Sequence, residues 1–495
     1  MYQKVLLLLT FAITLTRCSY AQQPLMQTFL QRPNYRGLLL NSNTQPLQAA
    51  IELGDLTSVP SPLQVDQALL NASDVMVASA SSALQFTTAR QQVQLPLNAL
   101  LPNGDYQWTF TLKGNGQVLQ TLSQPVHVVS NMPTTYIDET GRVVRNGSHF
   151  FPFGIYLGEA GDDTDNDMER IADAGFNTVL NYRYGYVGAE DATAFLDRAQ
   201  NHDLSVIFSL KDLYQYNHPA IDGAAISEDL IDDYKDHPAL LAWYINDEAP
   251  LSAIPELLSM YQRVQDLDPD HPTYSVHFQK DNYPQYFPTT DVFGSDWYPY
   301  GWSPWSGVTT YARAAKTATR DALGMWTVTQ IHNGTLYNGG NQPQNPVYTP
   351  TVTAMKNFAY QAIASGANGL IFYSYFDLWY DTTARQKSQT AFDARWPGVE
   401  QVAQEISSYI PVLEDGQDIP IVVSASGAPA RGILYNNKMY LFIANSTWSA
   451  LNFNVQIPGS WTLAAGNPGQ TSPITNGTQW IYAVPANASG VIVFE

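Results

Sequence analysis

The sequence predicts an α/β protein: a (β/α)8 TIM barrel flanked by N-terminal and C-terminal all-β sandwich domains. Three observations carry that prediction. Eight short apolar runs alternate with helical periodicity between residues 150 and 380, a rhythm that demands parallel strands joined by right-handed crossovers. The flanking segments alternate with period two between Gly, Pro and Asn turn signals and contain no convincing helix. Neither a G-x-G-x-x-G turn nor a P-loop is present, which favours the barrel over an open doubly wound sheet.

Taken in order, residues 1–21 read as a signal peptide: Lys4 gives the positive end, Val5–Leu15 the apolar run and Ser19-Tyr20-Ala21 the small-x-small cleavage site. The run is too short to span a membrane, and no later stretch reaches the roughly 18 apolar residues that spanning requires. Cys18 is the only cysteine; a lipid-anchor reading meets Arg17 where a small residue is wanted. Cleavage after Ala21 leaves a secreted or extracytoplasmic chain with no thiol, hence no disulfide and no cysteine nucleophile. Residues 22–135 form the N-terminal sandwich, where Tyr106, Trp108, Phe110 and Leu112 alternate up to a hairpin at Gly114-Asn115-Gly116.

The barrel occupies 136–415. Its strands are predicted at Phe150–Leu157, Asn177–Tyr182, Ser205–Leu210, Leu240–Ile245, Thr273–Phe278, Val292–Ser295, Met325–Ile331 and Gly369–Tyr375. Helices are expected from about Asp165, over Asp191–Gln200, around Asp229–Tyr234, and over Pro255–Leu267, Val308–Ala322 and Met355–Ala364, with Val399–Ile410 closing the barrel. Residues 416–495 return to short alternating runs, a second sandwich.

A formal net charge of −20 argues against nucleic acid, anionic membranes and sulfated polymers, and fits a neutral ligand. No H-E-x-x-H or comparable histidine pair points to a metal, and no cofactor is expected. A serine nucleophile lacks its G-x-S-x-G context. Asn71, Asn146, Asn333, Asn445, Asn476 and Asn487 each begin an N-x-S/T sequon. Nothing in the sequence fixes an oligomeric state.

In such a barrel the chemistry sits where strands end at the C-terminal face. Reading each strand to its end gives Glu159; Asn181 and Arg183; Lys211 and Asp212; Asn246, Asp247 and Glu248; His277; Asp296 and Tyr298; Gln330 and His332; and Tyr373, Tyr375 and Asp377. Glycosidic cleavage needs a proton donor for the departing oxygen and a second group to meet the positive sugar carbon or to activate water. Glu248 fits the donor: the apolar strand behind it, with Trp243 and Tyr244, would desolvate its carboxyl and raise its pKa. Asp247 and Asp296 are the candidates for the second charge, although Asp247 also suits a helix cap and Asp296 a loop anchor. Glu159, Asn181, Arg183, Lys211, Asn246, His277, Trp297, Tyr298, Gln330, Tyr373 and Asp377 are the candidates for substrate contact. Aromatic residues crowd the rim, five of them between Trp297 and Trp305, and offer faces on which sugar rings stack.

The run His237-Pro238-Ala239-Leu240-Leu241-Ala242-Trp243-Tyr244-Ile245-Asn246-Asp247-Glu248-Ala249-Pro250 resembles the fourth-strand acid/base segment of the TIM-barrel glycoside hydrolase clan that contains β-galactosidases, β-mannanases and cellulases. Asp291–Pro299 is similar to that clan's sixth strand and Ser365–Tyr375 to its eighth, so the likeness covers about 150–415. The resemblance implies a hydrolase acting on carbohydrate, with Glu248 as acid/base. It departs on strand seven, where the clan's nucleophilic glutamate is replaced by Gln330. Three readings follow. Asp296 or Asp377 takes over as nucleophile or base; or Asp247 steadies a substrate acetamido group, as in the N-acetylhexosaminidases that an Asp-Glu pair resembles; or the barrel binds sugar without cutting it, as a carbohydrate-binding or matrix protein.

Overall fold

The computed structural model describes residues 24–55, 57, 59–158, 163–185, 192–334, 348–381, 386–424, 427–459, 461–464, 474–475 and 479–495. The predicted signal segment and Glu159 lie outside these residues. The chain divides into two units. Among the described residues, one contains those from Pro24 to Phe29, Gln45–Ala99 and Asp105–Pro125; the other contains those of Leu30–Thr44, Leu100–Gly104 and Val126–Glu495.

The first unit is built from β-strands. The predicted hairpin is present, with Gly104–Gly114 returning as Gln117–Val129. Tyr106, Trp108, Phe110 and Leu112 all face inward and are buried, as period-two alternation requires. The turn is made by Asn115 and Gly116, both with positive φ (47° and 79°), the backbone a two-residue hairpin needs to match strand twist.

In the second unit eight parallel strands close a barrel in sequence order: Phe153–Leu157, Thr178–Asn181, Ser205–Ser209, Leu240–Asp247, Thr273–His277, Val292–Asp296, Gly324–Gln330 and Gly369–Tyr373. Alternation sorts their side chains. Ile155, Val179, Phe208, Trp243, Ile245, Phe293, Met325 and Phe372 pack outward under the helices. Tyr156, Leu180, Ile207, Tyr244, Tyr274, Val276, Trp326, Val328 and Ile371 fill the interior. The barrel is therefore a packed core and not a pore, so its chemistry is confined to the rim.

A three-stranded meander, Thr135–Ile137, Val143–Arg145 and Ser148–Phe150, lies beneath the interior and sends Ile137 and Val143 into it. This corrects the first predicted strand, whose opening residue Phe150 belongs to the meander. Pro152, which has no N–H to donate, separates the two elements. Beside this end Arg36 forms a buried ion pair with Asp291 at 2.8 Å, and Asp291 also accepts from Thr273 N (2.9 Å) and the Tyr261 hydroxyl (2.9 Å).

Strands five and six are joined by successive short helical turns, Lys280–Asn282, Tyr283–Tyr286 and Phe287–Thr289, two of which carry a proline near their start. One other expectation needs correction. The closing helix runs Gln389–Ser407, not Val399–Ile410, and is followed by a separate Ile410–Asp415 helix. Ser388 caps the longer helix through Ala391 N, and Pro397 lies within it, where the missing donor would ordinarily mark a boundary.

The C-terminal residues form two four-stranded sheets. One orders Gln417–Ile419, Ala430–Tyr435, Lys438–Ala444 and Ser489–Phe494; the other orders Val422–Ser424, Leu451–Gln456, Gln479–Val484 and Ile474–Thr475. Met439, Leu441, Ile443, Ile492 and Phe494 from the first meet Phe453, Val455, Trp480 and Val484 from the second in one core. The Val352–Ala364 helix ties this sandwich to the barrel. Its buried Asn357 amide donates to Asn445 O (3.0 Å) and Asn487 O (3.1 Å). Among the described residues no helix is long and apolar enough to cross a membrane.

Candidate active site

The fourth strand does not simply run out. Its pairing with the fifth shifts register between Tyr244 and Asn246, and Glu248 just beyond adopts a left-handed backbone with φ 56°. A β-carbon makes that conformation costly, by about 1–3 kcal/mol, so the surroundings must hold it. They do. Glu248 N donates to Val276 O at 2.9 Å, Ala249 N to Asn246 Oδ1 at 3.0 Å and the Tyr286 hydroxyl to Ala249 O at 2.7 Å. The turn re-aims two adjacent carboxyls to different sides of the barrel mouth.

Glu248 is turned toward the sixth strand, where its carboxyl comes within reach of Asp296. Asp296 is buried, and its Oδ1 has no hydrogen-bond partner among the described residues. Its pKa is raised well above the usual aspartate range, first by burial and then by the charge of Glu248; the Tyr298 hydroxyl acts in the opposite sense. Glu248 is also raised, by loss of hydration and by the charge of Asp247, while its contact with Asp296 lowers it. Glu248 is crowded on its protein side yet accessible to solvent at the mouth. Since water reaches it directly, its shift is the smaller of the two. Two carboxyls so placed do not both ionise cheaply, and the pair retains a proton where isolated acids would have lost theirs.

Asp247 faces the other way. Lys211 Nζ stands 3.7 Å from its Oδ2 and 3.0 Å from Asp212 Oδ1, and lies 4.4 Å from the centroid of the Tyr182 ring. The charge of Asp247 raises the phenols of Tyr182 and Tyr244, after the larger effect of burial. The mouth thus has an Asp247–Lys211 side over strands two to four and a Glu248–Asp296 side toward strand six. Its floor is a chain of rings: Tyr156 to Tyr182 (5.4 Å), Tyr156 to Tyr373 (5.1 Å), Tyr373 to Tyr298 (5.5 Å) and Tyr244 to Tyr274 (5.4 Å).

Of the candidates read from strand ends, the structure brings Asp247, Glu248, Asp296, Lys211, Tyr298 and Tyr373 together. Others lie elsewhere. His277 packs outward, its ring 4.0 Å from Tyr286 and 4.9 Å from Phe293, and burial lowers its pKa to about 3. Trp297 also points outward and stacks at 4.2 Å on Tyr311 of the Gly307–Thr319 helix. Asn181, on the parity of outward-facing Val179, accepts from Arg183 N at 2.9 Å, and the Arg183 guanidinium lies over Tyr184.

Two buried amides act as braces. Asn246 Nδ2 donates to Val276 O at 3.1 Å, and Gln330 accepts from Tyr300 N at 2.8 Å while donating to His332 O at 3.2 Å. Asp377 sits on the short Tyr375–Leu378 helix and accepts from the Ser374 hydroxyl. Tyr156, Tyr244 and Tyr274 were missed as floor residues, although each lies on the same strand parity as the apolar interior residues. His332, noted at a strand end but assigned no role, meets Tyr298 edge-on at 4.8 Å, and burial lowers its pKa to about 4.

No family model and no curated protein matches the chain. Among solved structures it is similar to a putative β-galactosidase from Bacteroides fragilis, at 12% identity over 94% of this chain and 72% of that one, with a TM-score of 0.39. A Bacteroides uniformis β-glucuronidase gives 10% identity over 94% of this chain and 58% of that one, TM-score 0.43. A β-galacturonidase from Eisenbergiella tayi, bound to galacturonate, gives 15% over 72% and 69%, TM-score 0.41. The barrel geometry, not these likenesses, carries the functional reading.

Proposed function

We propose that this chain is a secreted glycoside hydrolase that cleaves O-glycosidic bonds of a neutral poly- or oligosaccharide by carboxylate acid/base catalysis. The observation that carries the reading is the splitting of Asp247 and Glu248 to different sides of one mouth, with Asp296 in contact with the carboxyl of Glu248 and acted on by Asp247 only through its charge. Carboxyls that flank a scissile bond stand roughly 5 Å or more apart. Glu248 and Asp296, within reach of one proton, are too close to be that flanking pair. Asp296 therefore sets the proton affinity of Glu248, which donates its proton to the departing sugar oxygen. Asp247 is the anion that meets the positive charge developing on the sugar carbon, and Lys211 holds it in place. Tyr298 and Tyr373 supply ring faces beside the reacting unit.

Export is proposed from the sequence of the first 21 residues alone. A net charge of −20 supports a neutral substrate, since an anionic polymer would be repelled.

The test is incubation of the purified protein with a panel of neutral oligosaccharides and polysaccharides, reading the release of reducing ends. Release on at least one member is expected. Binding across the panel with no release on any would replace the hydrolase by a carbohydrate-binding protein. Proton NMR of the first-formed anomer then separates direct attack by water from attack by a substrate acetamido group: inversion eliminates the second route.

A further inference from the structure

Few large apolar side chains stand open to solvent among the described residues, and two of them are tryptophans near the barrel's sixth-strand loop. Trp302 is 54% exposed and Trp448 is 74% exposed. Neither sits on a loose segment. Trp302 donates its indole N–H to Tyr298 O, and both Trp302 N and Ser303 N donate to Pro299 O (3.2 and 3.0 Å). Tyr298 is the residue whose hydroxyl acts on Asp296, so this ring is fastened to the candidate active site.

Trp448 belongs to the C-terminal sandwich. Its loop is organised by buried Asn445, whose Nδ2 donates to Ser449 O (2.9 Å), Val484 O (3.0 Å) and Pro485 O (2.9 Å). The Oδ1 of Asn445 accepts from Thr447 N (3.0 Å) and the Thr447 hydroxyl (2.8 Å). Trp305, three residues beyond Trp302 on the same loop, is buried against Phe358 at 5.3 Å and lies 5.9 Å from Tyr300 and 5.6 Å from Trp448. Aromatic side chains thus run from the active-site loop onto the second domain.

We propose that Trp302 and Trp448 form a stacking surface for further sugar units of a neutral polysaccharide, so that the substrate extends from the barrel mouth onto the C-terminal sandwich. The occupant follows from three facts. The surface continues from the candidate catalytic pair through Tyr298. Its rings are held on braced loops, so little ordering entropy is lost when a ligand stacks. The strongly acidic chain disfavours a polyanionic partner, while the C–H faces of neutral sugars pack on indole. This deepens the hydrolase reading by making the substrate a chain longer than the unit being cut, and it rests on that reading for the position of the cleaved bond.

Affinity electrophoresis tests it, with native gels containing soluble β-glucan, galactomannan, xyloglucan or arabinogalactan. Wild-type protein is expected to be retarded in at least one gel. Trp448→Ala should lose roughly three- to tenfold in apparent affinity, and Trp448→Phe should keep most of it. Thermal unfolding of both variants should match wild type, because the side chain is largely in solvent. Free migration of wild type in every gel, or equal retardation of Trp448→Ala, overturns the proposal. Retardation that depends on Trp448, with no reducing ends released from any polysaccharide, supports this surface and removes the hydrolase reading.

Discussion

Glu248→Gln is expected to lower kcat/KM by about 10²- to 10⁴-fold on substrates with a sugar leaving group, the usual worth of a positioned general acid. Gln keeps the side-chain length and inherits the same braced turn, so substrate binding should persist. The loss should be much smaller on glycosides of strongly acidic phenols, which depart without a proton. That contrast identifies the role. An equal loss on both substrates would make Glu248 the nucleophile, and a loss below tenfold on both would remove it from the reaction. Steady-state kinetics on the two leaving groups decides.

Asp296→Asn should move activity and stability in opposite directions. Activity should fall about 10²-fold, because Glu248 loses the partner that sets its proton affinity. Stability at neutral pH should rise by about 1–3 kcal/mol, the scale of a buried charged group with an unpaired oxygen. The sign follows from the raised folded-state pKa of Asp296. The folded protein holds that proton more tightly than the unfolded chain, so the residue's contribution is favourable only at low pH and is lost as pH rises through the folded value. The gain from Asn should therefore be largest at neutral pH and should fade as pH falls toward 4, about the unfolded value of aspartate. Thermal unfolding of both proteins across that range measures it. A variant less stable than wild type at pH 7 would show that Asp296 is a structural anchor.

The barrel was legible because its strands announce themselves: eight short apolar runs, most followed by a turn and a helical period, call for parallel strands, and the lack of a Gly-rich phosphate turn favours a closed barrel over an open sheet. The Glu248 region was legible for the same reason, as the acidic pair Asp247-Glu248 at the end of an apolar strand. What alternation does to residues at strand ends was harder to read. His277 and Trp297 each follow an inward-facing neighbour by one position and so face outward, a parity that becomes readable once the interior set is known. The register shift after Tyr244 is invisible in composition, yet it turns Asp247 and Glu248 apart. Gln330 looked like a substrate contact in the place of a missing carboxylate, but its amide is taken up by Tyr300 N and His332 O. The helix that runs through Pro397 shows packing overriding local preference.

The tyrosine floor of the barrel has a consequence in alkali. Tyr156, Tyr182, Tyr244, Tyr274 and Tyr298 all have pKa values raised well above 10, burial being the first cause in each. Each phenol then withdraws about 1.4 kcal/mol of stability per pH unit above 10, where the unfolded chain ionises and the folded one does not. Spectrophotometric titration at the phenolate band should accordingly show these rings absent from the first, reversible wave and appearing together, abruptly, as the barrel opens.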